Sequence, residues 1–275
     1  MNERLYLQKI DIIRWQKGEH KTEEDYVSIE EPLALEVNGQ RVAVLMRLPG
    51  AEKELAIGFL ISEGIIDNFN DIQMLSHCGS IMPGEVSEDP LTPSRNIVKI
   101  QATHLNRAKD TATLLIRSGC GRTSVEDIVD QLPKVHSNLE MGIDILTRIA
   151  KEILDQQEVR KMAGGVHLAA LFDAQGQMLV TYEDIGRHNA ADKVIGYALL
   201  NGISLADKIL YTTGRASYEL VTKGARMNIP VIASKSSPTS LAVEFARNTE
   251  ITLCGFVRPN RANIYSGEKR IIFTD

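Results

Sequence analysis

Cys120 is the residue of this sequence best placed to act as a nucleophile. It stands in LLIRSGCGRTSVED, between Gly119 and Gly121, with Arg117 and Arg122 nearby and a helix expected just beyond. Glycine on either side permits a tight, exposed turn. Two guanidinium groups and a helix N-terminus lower a thiol's pKa and raise its thiolate fraction near neutral pH. Thiolate is the form that attacks sulfur and that carries a sulfane sulfur. The competing reading, a free cysteine buried as a small hydrophobe, suits Cys254 in ITLCGF, which ends an apolar strand. It suits Cys120 poorly, because the flanks are polar and glycine-rich. Cys78, in LSHCGS, is intermediate: a polar loop and a neighbouring histidine, with nothing further to support it.

A second set of residues points to anion binding. Four loops each carry a cation. EDIGRHN brings Glu183, Asp184, Gly186, Arg187, His188 and Asn189, and TTGRAS brings Thr212, Thr213, Gly214, Arg215 and Ser217. SKSSPTS brings Ser234, Lys235, Ser236, Ser237, Thr239 and Ser240, and FVRPNR brings Arg258 and Arg261. The first three lead directly into helices. Exposed helix N–H groups, the helix dipole and a guanidinium together favour an anion, phosphate above all. Any one loop is explained as well by ordinary turn and capping residues with a solvated arginine. Four at one sheet edge of an acidic chain imply a phosphorylated or pyrophosphate-bearing ligand. His188, at a helix start, is placed for substrate contact or proton transfer, and Arg187 beside it favours its neutral form. His167, in GGVHLA, reads more readily as a packed histidine than as a ligand. Asp184 and Asp192 are available to anchor these cations structurally.

Other chemistries lack their residues. No C-x-x-C pair occurs, and the six histidines and three cysteines show no metal-ligand spacing. The H-x-E and P-C-x-x-C segments of a zinc deaminase are missing, as are the serine-hydrolase elbow, the P-loop and a G-x-G-x-x-G after a strand. No metal held by protein side chains is expected.

The elements that must position these residues fall into two parts, residues 1–145 and 146–275. The first reads as strand-rich with one clear helix. EPLALEVNGQRVAVLMRLPG alternates about Asn38-Gly39, a strong hairpin signal. AEKELAIGFLISEG places Leu55, Ile57 or Gly58, Phe59, and Ile61 or Ser62 at helical spacing and stops at Gly64. A mobile loop is expected from Cys78 to Arg95. NIVKIQA and TATLLIRS read as strands, and TSVEDIVDQLPK as a short helix capped by Thr123 or Ser124. A helix over residues 142–157 connects the parts. In the second, VHLAALFDAQGQMLVTYED is a hairpin about Asp173–Gln177. HNAADKVIGYALLNG, ASYELVTKGARMN and SPTSLAVEFARNT are helices, the last with Pro238 near its first turn. DKILYTTG, IPVIASK and ITLCGFVR are strands, with RANIYS following. That order demands a largely parallel sheet with helices on its faces. The fold class is α/β, or α+β overall. In such sheets ligands sit beyond the strand carboxyl ends, where the four cationic loops lie.

Composition narrows the class further. Of 275 residues, 43% are hydrophobic and 24% charged, which excludes a disordered or fibrous chain. Lys plus Arg number 31 against 36 Asp plus Glu, a formal charge of -5 that argues against wrapping nucleic acid. No apolar run approaches the roughly 18 residues of a membrane span, and the charged opening lacks the apolar stretch of a secretory signal. An odd cysteine count makes no disulfide framework and suits a reducing cytoplasm.

At these segments the sequence resembles the FdhD family, the formate dehydrogenase accessory sulfurtransferases. The stretches that carry the resemblance are EEPLALEVNG, MRLPG with ELAIGFLISEGII, SGCGRTS, and GGVHLAALFD with EDIGRHNAADKVIG. TTGRASYELVTKGARMNIPVIASKSSPTSLAV and GFVRPNRANIY complete the set, which covers most of the chain in the family's order. The resemblance implies a sulfurtransferase loaded by a cysteine desulfurase, with a persulfide on Cys120. It implies that this sulfur passes to the molybdenum of a bis(molybdopterin guanine dinucleotide) cofactor destined for apo formate dehydrogenase. Phe256, Val257, Arg258, Pro259, Asn260 and Arg261 match the region associated with that cofactor. Arg187, His188, Gly214, Arg215, Lys235 and Ser236 are the further cofactor-binding candidates. The resemblance also implies a C-terminal domain similar to the cytidine deaminase fold, without zinc ligands, and a homodimer.

One departure stands out. Many relatives have a C-G-x-C-G loop, whereas Arg117 occupies the earlier cysteine position here, so a relay through two neighbouring thiols is in doubt while a single carrier is not. Cys78 is the alternative second thiol. Two other functions remain open: a cofactor-binding chaperone for formate dehydrogenase maturation, in which Cys120 is dispensable, and a hydrolytic deaminase, which rests on fold analogy alone.

Overall fold

The structure, a computed structural model, describes residues 6–78, 96–105 and 132–273. The charged opening forms a hairpin, β1 (Leu7–Gln16) with β2 (Glu19–Ser28). Sequence reading had no strand pattern to find there, because most of its side chains are solvated on both faces and Ile13 and Trp15 are about 70% exposed. β3 (Glu31–Val37) and β4 (Gln40–Arg47) pair as expected across Asn38-Gly39, whose φ values of 52° and 78° suit the tight hairpin turn.

Next come α1 (Glu52–Ser62), β5 (Ile72–Cys78) and β6 (Ile97–Ala102), giving a four-stranded sheet in the order β4-β3-β6-β5. Leu33, Leu35 and Val37 of β3 and Val98 and Ile100 of β6 point to one face, where Leu55, Ala56, Ile57, Leu60 and Ile61 of α1 cover them. Cys78 closes β5 instead of opening a loop. The remainder of the expected loop, residues 79–95, lies outside the described residues, as do the TATLLIRS strand and nearly all of the TSVEDIVDQLPK helix.

The second sheet follows β7 (Met141–Gly142), α2 (Ile143–Glu152) and α3 (Glu158–Ala163). The single helix expected over residues 142–157 therefore ends early, and a short helix restarts where Glu183 accepts the Val159 and Arg160 N–H groups at 2.8 and 3.1 Å. β8 (His167–Phe172), β9 (Met178–Asp184) and α4 (Arg187–Leu200) come next. They lead to β10 (Ile209–Thr212), α5 (Tyr218–Arg226), β11 (Val231–Ser234), α6 (Ser240–Asn248), β12 (Thr252–Arg258) and β13 (Arg261–Ser266). The sheet order is β13-β12-β11-β10-β8-β9. Only β10–β11 and β11–β12 pair in parallel; β8–β9, β8–β10 and β12–β13 are antiparallel. The sheet is thus mixed, not largely parallel, because one strand of each hairpin, β8 and β13, runs opposite to the other four. α4, α5 and α6 pack on one face and α2 on the other. β14 (Ile271–Ile272) pairs with β7. Pro238 precedes the cap of α6, where Thr239 accepts the Ala242 N–H at 3.2 Å, and so lies just outside the first turn.

α1 is buried almost all round because α4 crosses its other side. The crossing depends on two glycines. A Cβ on Gly58 would lie 1.8 Å from the Asp192 carbonyl oxygen, and one on Gly196 would lie 1.8 Å from that of Glu54. Backbones this close leave no room for any side chain. Beside the crossing, buried Lys223 contacts Asp192 Oδ1 at 2.9 Å, Glu63 Oε1 at 2.6 Å and the Ser62 hydroxyl at 2.9 Å. Burial alone would lower the Lys223 ammonium, but Asp192 and then Glu63 outweigh it and raise it above the ordinary lysine range. α5 is thereby tied to both helices. No described helix is long and apolar enough to cross a membrane.

Candidate functional site

β9, β10, β11 and β12 all point the same way, so their carboxyl ends and the four cationic loops share one edge of the sheet. Backbone contacts lace the loops together. The Lys235 N–H donates to Thr212 O at 2.9 Å, the Ser234 hydroxyl to Gly214 O at 2.7 Å, and the Phe256 N–H to Ser236 O at 2.9 Å. Short serine and threonine side chains serve here because they satisfy turn amides from within the loop: Thr212 Oγ1 accepts from Gly214 N–H, and Ser234 Oγ from Ser236 N–H.

The first loop is fixed from the opposite part of the chain. Asp184, fully buried, accepts from Leu48 N–H and Lys193 on one oxygen and from Gly186 N–H and the Asn189 amide on the other. Asn189 also donates to Met46 O at 2.8 Å, and Lys193 to Leu48 O at 2.9 Å. A carboxylate with four donors is immobile, so the end of β4 and the residue after it set where α4 starts and where Arg187 and His188 stand. Asp184 and Asp192 do act as anchors, but for Lys193 and Lys223 and not for Arg187 or His188.

Cations converge on this edge. His167 is pushed below the ordinary histidine value by burial first, then by the fields of Arg187, Arg160, His188 and Arg215. Lys235 is lowered by burial and by Arg160 and Arg258. These side chains therefore belong to one positively charged crevice. Glu219 is an acid facing it, with Oε2 at 3.1 Å from His188 Nε2 and 3.9 Å from Arg187 Nη2. The His188 approach lies off the line of a good hydrogen bond, since Nε2 is left without a donor–acceptor partner of proper geometry. His188 nonetheless holds the Glu219 carboxyl down, to about 2. His167 Nδ1, Arg187 Nε and His188 Nδ1 are buried and have no hydrogen-bond partner. Buried nitrogens left without a partner are rare in folded proteins, and an ion or a water often satisfies them. The N-termini of α4 and α5 also carry no side-chain cap. Cations, open helix ends and orphan nitrogens at one place suit an anionic ligand.

The FdhD/NarQ family model matches residues 28–272. The chain belongs to that family. A protein of Anaeromyxobacter sp. (strain K) named "Sulfur carrier protein FdhD" is 37% identical over 270 residues, covering 92% of this chain and 91% of that one. One of the same name from Sulfurisphaera tokodaii is 34% identical over 272 residues, covering 98% and 100%. A crystal structure described as a formate dehydrogenase accessory protein from Desulfotalea psychrophila is 25% identical, with a TM-score of 0.74 over 97% of this chain and all of that one.

In this FdhD/NarQ chain the structure brings Arg187, His188, Gly214, Arg215, Lys235, Ser236, Phe256 and Arg258 to one edge. Gly214 is seated against Arg187: an added Cβ would come within 2.8 Å of the arginine Cβ. Phe256 adopts a left-handed backbone at φ 51°, and the β12–β13 register slips between Gly255 and Arg258. Such strain in a non-glycine residue, held by a bulge, re-aims the chain and is frequent at functional sites. Val257 is fully buried in the sheet core and offers a ligand no side chain; its carbonyl accepts from the Tyr211 hydroxyl at 3.3 Å. Arg258, Pro259, Asn260 and Arg261 are exposed, and Arg261 lies over the Phe256 ring at 5.3 Å. Cys120, Arg117 and Arg122 lie outside the described residues. Cys254 is buried, and burial pushes its thiol up to about 12. Among the described residues, no group of three or more His, Cys, Asp or Glu is gathered as for a metal ion.

Sequence reading missed Arg160 and Glu219 and set His167 aside. Arg160 reaches the crevice because α3 is capped by Glu183 beside it, a long-range pairing no local pattern reveals. Glu219 follows TTGRAS by two residues and was hidden in a helix that reads as ordinary. The glycine pair before His167 was the available signal for that residue.

Proposed function

We propose that this protein is a sulfur carrier for formate dehydrogenase maturation, as the names of its relatives suggest, and that the crevice holds the acceptor of that sulfur. On this reading a cysteine desulfurase presents a persulfide, and the Cys120 thiolate attacks its outer sulfur. The bond from that sulfur to the donor cysteine breaks, the donor leaves as thiolate, and Cys120 becomes the persulfide. Two electrons stay paired throughout, so no oxidant is required. The acceptor is the molybdenum of a bis(molybdopterin guanine dinucleotide) cofactor, bound as cargo. Its pyrophosphate groups suit Arg187, Arg215, Lys235 and Arg258, with His188, Gly214, Ser236 and the Phe256–Arg261 segment beside them. Cys78 is exposed and remains the alternative second thiol.

The observation that carries the cofactor half is the set of three buried, unpartnered nitrogens among converging cations. The sulfur half rests on the relatives and on the glycine- and arginine-flanked Cys120. The test is persulfide trapping after incubation with desulfurase and cysteine, in native protein and Cys120→Ala. Label on the native protein alone supports the carrier; equal label on both removes Cys120 from the role. A cofactor-binding chaperone uses the same crevice, and under it Cys120→Ala still activates formate dehydrogenase while Arg187→Ala and Arg215→Ala lose guanine nucleotide binding. Guanosine diphosphate should raise the melting temperature under either reading, because a ligand of the folded state must stabilise it. A cytoplasmic site of action and a homodimer belong to the same proposal.

A further inference from the structure

We infer that Glu219 is a resident counter-anion that sets the charge selectivity of the crevice. The inference rests on reading the crevice as an anion site. Among the described residues, the only side-chain carboxylate that contacts the basic groups of the crevice is Glu219, with Arg187 at 3.9 Å and with His188 at 3.1 Å, the second an ion pair only while the imidazole is protonated. The side chains of Arg160, Arg215, Lys235 and Arg258 form no ion pair among those residues, although Glu183 accepts the Arg160 backbone N–H. Ser217, at the cap position of α5, leaves the helix end without a side-chain cap and donates its hydroxyl to Glu219 Oε2 at 2.9 Å. Glu219 is therefore latched against the Arg187 end of the cationic row, and the side chains toward Lys235 and Arg258 form no ion pair among the described residues.

The consequence is a difference between ligands. An anion that reaches only Arg187 and His188 competes directly with a carboxylate already there and gains little from cations that Glu219 has partly neutralised. A diphosphate long enough to reach toward Lys235 and Arg258 gains from cations that Glu219 does not touch. Pyrophosphate seated toward Lys235 and Arg258 keeps its charge farther from Glu219 and loses less to that repulsion than phosphate held at Arg187 and His188. Selectivity is a difference of affinities, and a repulsive group placed against the wrong ligand creates it.

The test is calorimetric titration of the full chain with inorganic phosphate and with pyrophosphate at one ionic strength, for native protein, Glu219→Gln and Ser217→Ala. Glutamine keeps the shape of Glu219 and an oxygen for Ser217 while removing the charge. Glu219→Gln should bind phosphate about fivefold more tightly, the upper end of what a half-exposed ion pair supplies, and pyrophosphate by a smaller factor. Ser217→Ala loosens the latch without removing charge and should shift affinities in the same direction by less. Unchanged or weaker phosphate binding by Glu219→Gln would overturn the inference, because the carboxylate would then be idle or orienting its neighbours. Equal tightening toward both anions would overturn the selectivity. Failure of native protein and Glu219→Gln alike to bind pyrophosphate would instead refute the anion reading, and the inference with it.

Discussion

Replacing Gly214 by alanine should weaken anion binding through Arg187 without touching a charged group. The added methyl would lie 2.8 Å from Arg187 Cβ, 3.2 Å from its Cδ and 3.4 Å from Thr212 Oγ1. Carbon atoms settle at about 3.5–4.0 Å, so a retreat of roughly 0.7 Å or more is required. Arg187 Cβ cannot swing away as a side-chain tip would, because it is fixed to the first turn of α4. That turn is anchored by Asp184 and Asn189. Either the Thr212–Arg215 loop or the arginine must move. Overpacking of this kind costs about 1–3 kcal/mol of stability. Loss of one charge-assisted contact costs about 1.5–3 kcal/mol of binding, or about 10- to 100-fold in Kd. Pyrophosphate titration by calorimetry measures the second and urea unfolding the first. The decisive comparison is a double-mutant cycle: once Arg187→Ala is present, Gly214→Ala should add little further loss, since both act through one side chain. Gly214→Ala protein that binds as tightly as native, or losses that add in full, would refute the reasoning.

Four other outcomes follow from the same structure. Gly58→Ala should destabilise by about 3 kcal/mol or more, read from the urea midpoint, because the methyl meets the Asp192 carbonyl and the helix crossing must open. Asp192→Asn should cost about 3 kcal/mol in the same assay, since it leaves the buried Lys223 with one carboxylate fewer. Glu219 has its carboxyl lowered from 4.5 to about 2, so its ion pairs contribute in full above the unfolded value and are lost as pH falls toward 2. Its side chain is 44% exposed, and solvent screening limits the effect to under about 1 kcal/mol. The melting-temperature gap between native protein and Glu219→Gln should therefore shrink as the solution is acidified from about pH 6 toward pH 2. Cys254 should resist iodoacetamide in the folded protein and react only after unfolding, as mass mapping of labelled peptides would show.

Much of the fold was legible because its signals are local. Asn38-Gly39 specifies a hairpin turn whatever surrounds it, and the helices of the second part announce themselves by period and boundary residues. The β1–β2 hairpin was illegible for the converse reason: with both faces wet, no alternation survives to be read. The restart of the chain as α3 depended on Glu183, 24 residues beyond Val159, reaching back to accept its first N–H groups. The mixed pairing of the second sheet was likewise a matter of where β8 lay down, against β10 and in the opposite sense.

The same division holds at the site. Sequence alone determined which loops carry cations, that Arg187, Arg215, Lys235 and Arg258 each lie at or just beyond the end of a strand, and that Cys120 sits between glycines, because these are properties of neighbours along the chain. Only the tertiary structure decided that Arg160 joins those cations with His167 beside them, that Glu219 faces them, and that Leu48 and Met46 hold the first loop in place. Those facts depend on the register of β8 against β9 and on two glycines letting α1 and α4 touch. Coulomb forces and close packing act through space, and the separations that govern them are fixed only when the chain has closed on itself.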